Sequence, residues 1–101
     1  MTDPDLTQLH QALTQSWNLP QSAPPTDRDQ LRKILAQRVA FLLRHDVQRL
    51  LSAMYLLDIP EPKFKDPLSN PDIDTAAPDL AHIILDREQQ KIKMRSAYAR
   101  N

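Results

Sequence analysis

The chain has 101 residues with 13 basic and 13 acidic side chains, so its formal net charge is zero. That balance argues against a strongly basic nucleic-acid module and against a polybasic membrane binder. Cysteine and glycine are both absent. Their absence removes disulfide and thiolate chemistry, and it removes phosphate-cradling loops, dinucleotide fingerprints and nucleophile elbows in their standard forms.

Two-residue hairpin turns also favour glycine, and no stretch alternates with period two. The expected fold is all-α, a single helical domain over residues 1–101. The opening Met1-Thr2-Asp3-Pro4-Asp5 is acidic and polar, unlike a signal peptide. The longest uncharged apolar run of the central stretch, Leu50 to Leu57, is far shorter than a membrane span. A cytoplasmic location without membrane contact is expected.

Asp3 before Pro4 is a good helix start, because the carboxylate caps an orphan N–H and Pro4 lacks a donor where none is needed. Leu6, Leu9, Leu13 and Trp17 follow at helical spacing, which predicts a first helix over about 4–17. His10 lies on this face and reads as a partly buried edge histidine. The segment 18–25 is a proline-rich connector.

Residues 26–59 contain none of the nine prolines. Leu31, Leu35, Val39, Leu43, Val47, Leu50, Met54 and Leu57 recur at steps of three or four, the repeat of one helical face. Thr26 and Asp29 have the spacing of a capping box. One long central helix over 27–58 is predicted. It would measure about 50 Å against a radius of gyration of about 13 Å for a compact chain of this size. Such a helix overhangs a monomer, and its leucine-rich second half calls for a partner.

Asp46 conflicts with this helix, since it falls near the centre of the apolar face and a bare buried carboxylate is costly. It is readable as the N-cap of a second helix that breaks the long one. The favoured reading is a buried carboxylate paired with Arg49, His45 or a base from another helix, and a functional carboxylate in a pocket or an exposed residue are lesser alternatives. Arg38, His45 and Arg49 read as a solvated flank whose stems cover the core edge.

Residues 59–77 form a second proline-rich connector, with one short helical turn possible over Glu61 to Asp66. Asn70, Asp72 and Asp74 resemble the start of a calcium loop, but Thr75 and Ala81 occupy the positions that need glycine and glutamate, so calcium is rejected. A third helix is predicted over about 78–98. Leu80, Ile83, Ile84, Met94 and Tyr98 share a face that Arg87 and Lys91 interrupt, and the half from Arg87 onward is basic.

The chemistry available is sparse. His82 and Asp86 are one turn apart and form a single weak metal pair. An enzyme would need a pocket joining His45, Asp46 and His10 or His82. No cofactor, metal or catalytic residue is therefore assigned. By pattern, Arg44-His45-Asp46, Arg49-Leu50-Leu51, Met54-Tyr55, Leu57-Asp58-Ile59, and Ile83-Ile84 with Arg87-Glu88-Gln89-Gln90-Lys91, over about residues 31–95, resemble a group of small uncharacterised bacterial helical proteins. The resemblance implies a bacterial, cytoplasmic, all-helical domain and supplies no activity.

The resulting expectation is a small bundle of three main helices with one long central helix and two proline-rich connectors. Its function is expected to be non-catalytic, as a protein–protein interaction module that self-associates as a homodimer. Leu43, Val47, Leu50, Met54 and Leu57 would pack the interface, and Asp46 with Arg49 would set its register. The alternative is a small nucleic-acid-binding regulator using Lys91, Arg95 and Tyr98 of the basic C-terminal helix.

Overall fold

The computed structural model describes residues 4–20 and 25–99, with the side chains of Pro4, Ser96, Tyr98 and Ala99 outside the description. Asp3 as a cap, residues 21–24 of the first connector and the Tyr98 side chain thus lie outside the described residues. Five helices follow in order: α1 (Pro4–Trp17), α2 (Arg28–His45), α3 (Val47–Leu56), α4 (Glu61–Ser69) and α5 (Ile73–Ala99). No strand occurs among the described residues. No helix among them is long and apolar enough to cross a membrane.

The single central helix over 27–58 is corrected: it breaks at Asp46 into α2 and α3. Asp46 leaves helical geometry at φ −158°, its backbone N–H closes α2 on Leu42 O, and its side chain accepts from Arg49 N–H to open α3. The carboxylate that an unbroken helix would bury is exposed instead. The N-cap reading of Asp46 is the one that the structure adopts. Without the overhang the radius of gyration is 13.6 Å, close to the about 13 Å of a compact chain of this length.

The second connector is also corrected, because it holds α4 and the start of α5. Pro62 sits in the first turn of α4, where a missing donor costs nothing. Asp72 caps α5 six residues before Pro78, accepting from Asp74 N at 3.1 Å and from the Thr75 hydroxyl at 2.7 Å. Asn70 accepts from Asp72 N at 3.0 Å, so the residues that resemble a calcium loop are turn and cap residues. The cap of α2 is Asp27 rather than Thr26. It accepts from Gln30 N at 2.8 Å, and Gln30 Oε1 reaches back to Thr26 N at 2.7 Å.

One apolar core joins the helices. Leu6, Leu9, Leu13 and Trp17 of α1 meet Leu31, Leu35, Val39 and Leu42 of α2. Leu50 and Met54 of α3, Phe64 of α4, and Leu80, Ile84 and Leu85 of α5 complete it. At 27 residues α5 is the longest helix, and it packs on α2, α4 and α1. Its buried face runs Ala77, Leu80, Ala81, Ile84, Leu85, Glu88, rotated from the face through Ile83 and Met94 that the spacing suggests.

Candidate ligand-binding groove

A groove of about 730 Å³ opens between the end of α1, the end of α3 and the second half of α5. The α3 end is fixed by two hydrogen bonds past its last turn, Asp58 N to Tyr55 O at 3.0 Å and Ile59 N to Met54 O at 3.2 Å. This is a Schellman closure, with Asp58 in the left-handed position at φ 58°. It presents Leu56, Leu57 and Asp58 to the groove. Arg87 locks the closure to α5, its Nε donating to Leu57 O at 2.8 Å while Nη1 donates to Gln90 Oε1 at 2.8 Å.

The α5 wall carries Arg87, Glu88, Lys91, Met94 and Arg95, and Lys91 lies three or four residues from each of the others, which places them around it on one side of the helix. Leu56 and Met94 edge the groove and are 80% and 48% exposed. Beneath this rim lie two polar groups shielded from water without a hydrogen-bond partner, Glu88 Oε2 and Trp17 Nε1. Glu88 is 5% exposed and is the one buried charged residue of the described chain. Buried polar groups are nearly always paired, so two orphan atoms, both on residues that line one concavity, set it apart from the rest of the surface.

The residues singled out from the sequence are dispersed. Leu50, Met54 and Leu57 are spent on the protein's own core, Leu43 packs at its edge, and Val47 is 40% exposed. Asp46 contacts Arg49 through the backbone N–H, at 3.2 Å. Lys91 and Arg95 line the groove, interleaved with Glu88 and Asp58, so the surface they offer is of mixed sign.

His45 packs its ring against Phe41 at 4.6 Å. His82 faces Asp86 at 3.3 Å, and Asp86 also accepts from Arg28, which donates to Gln89 as well. None of the histidines lines the groove. Among the described residues no group of three or more His, Cys, Asp or Glu is placed to hold a metal ion.

Sequence reasoning missed Glu88 and Trp17 as site residues. A signal was present, since Glu88 follows Ile84 by four and Leu85 by three and so extends the apolar stripe of α5. No protein-family model matches this chain, and neither a curated protein nor a solved structure shows significant similarity to it.

Proposed function

We propose that the chain is a non-catalytic helical binding module whose working surface is this groove. The observation that supports it is the unpartnered carboxyl oxygen of Glu88 beneath a rim that carries exposed Leu56 and Met94. Leaving such a group unpaired costs about 1–3 kcal/mol of stability, which a small domain retains most readily where a ligand supplies the missing partner. The reading is non-catalytic because Ser16 is the one hydroxyl in the lining and no histidine stands beside it.

Trp17 is the single tryptophan of the chain and lines the groove, so its emission reports occupancy. Titration with a set of small apolar fragments should shift that emission, and Met94→Asp with Leu56→Asp should abolish the shift. A set in which no fragment moves the emission at millimolar concentration would sink the proposal.

Self-association is the second reading, now supported by other side chains. Phe41 and Val47 flank the α2–α3 corner, Tyr55 and Leu56 lie at the far end of α3, and all four are exposed, so a second copy could cover them. Light scattering over a concentration series, at low and high salt, tests it. A mass that stays monomeric throughout removes it.

A further inference from the structure

The groove's polar groups differ in sign and in depth, and Asp58 adds an exposed carboxylate at its α3 end. Glu88 offers an unpaired acceptor and Trp17 an unpaired donor, both buried. Lys91 is half-buried and Arg95 exposed, and neither enters an ion pair among the described residues. Arg87, by contrast, already donates to Leu57 and Gln90.

Each simple ligand leaves part of this unsatisfied. A hydrocarbon leaves Glu88 unpaired. A bare cation at Glu88 leaves Lys91 and Arg95 unpaired, and a bare anion at those two leaves Glu88 unpaired. A ligand with an ammonium at one end, an anion at the other and an apolar body between satisfies all three.

We propose that the groove binds an apolar peptide of about three residues by both charged ends, its α-ammonium on Glu88 and its α-carboxylate on Lys91 and Arg95. This rests on reading the groove as a binding site and adds the class of ligand.

Length selects the size. Glu88 and Arg95 are seven residues apart on α5, a rise of about 10 Å, and three extended residues span about 10 Å. The volume of about 730 Å³ falls within the range of roughly 300–1,000 Å³ found for small-ligand pockets. The terminal torsion of glutamate is broad, so a modest turn of the Glu88 carboxyl presents Oε2 to the incoming ammonium.

The test titrates the full chain with trileucine, N-acetyl-trileucine and trileucine amide, read by Trp17 emission and by calorimetry. Free trileucine should saturate the protein, and each blocked peptide should bind about tenfold or more weakly, as expected for losing one charged hydrogen bond. Glu88→Gln should erase the difference between free and acetylated peptide. Lys91→Ala with Arg95→Ala should erase the difference between free peptide and amide.

Acetylated or amidated peptide binding as tightly as free peptide overturns the two-ended assignment. If Glu88→Gln does not fold, the blocked peptides on the unaltered protein still decide. Silence toward trileucine with a response to an apolar fragment overturns the ligand class and leaves the groove. Silence toward both removes both.

Discussion

The Asp46 carboxylate accepts a hydrogen bond from the Arg49 backbone N–H at 3.2 Å and so starts α3, while the backbone N–H of the same residue ends α2 on Leu42 O. Asp46→Ala should lower stability by about 1 kcal/mol, the usual cost of a lost N-cap, while Asp46→Asn should be close to neutral. Chemical denaturation of the three proteins checks this. Equal losses for alanine and asparagine would mean that charge, not capping, matters at this corner.

Asp58 tolerates a left-handed backbone at φ 58° so that Ile59 can turn back onto Met54, both buried in the core. Replacing it with glycine relieves about 1 kcal/mol of backbone cost against about 0.5 kcal/mol of added unfolded-chain entropy. Asp58→Gly should therefore raise the melting temperature slightly, and Asp58→Val should lower it. A clear loss on Asp58→Gly would show that the carboxylate itself is needed at the α3 end.

Glu88 offers a trade of stability against binding. Glu88→Leu continues the α5 apolar stripe and deletes the orphaned oxygen, so it should raise stability by about 1–2 kcal/mol. The denaturation midpoint should rise with an unchanged slope. A destabilised variant would point to a partner for Glu88 in solution, and would remove the reason for treating the groove as unusual.

Two leucines six residues apart should behave oppositely. Leu50 is fully buried, and Leu50→Ala should cost about 2–5 kcal/mol. Leu56 is mostly exposed, and Leu56→Asp should stay within about 0.5 kcal/mol of the parent while weakening fragment binding in the groove. Thermal melts of both, with Trp17 titration of the second, separate core from surface on one helix.

The helical character of the chain is legible in leucine spacing and in the missing glycine. What hides the break at 46 is that Leu43, Val47 and Leu50 keep the same spacing across it, so periodicity alone runs through the corner. The signal lay in the conflict, an aspartate on an apolar face, which local capping resolves without any partner. α4 and the early start of α5 were obscured by prolines that the helices accommodate, Pro62 in the first turn of α4, Pro67 towards its end and Pro78 six residues after the Asp72 cap. The groove was the least legible, because it depends on which face of α5 turns inward, and Arg87 and Lys91 mask the stripe that carries Glu88.

The packing of α5 has a consequence for how the protein is made. Its apolar face covers α2, α4 and α1 together, and it is synthesised after all of them. Until residues 73–99 leave the ribosome, Leu31, Leu35 and Val39 lack much of their cover, so the shared core cannot close before then. Translation adds roughly 5–20 residues per second, so this interval lasts seconds.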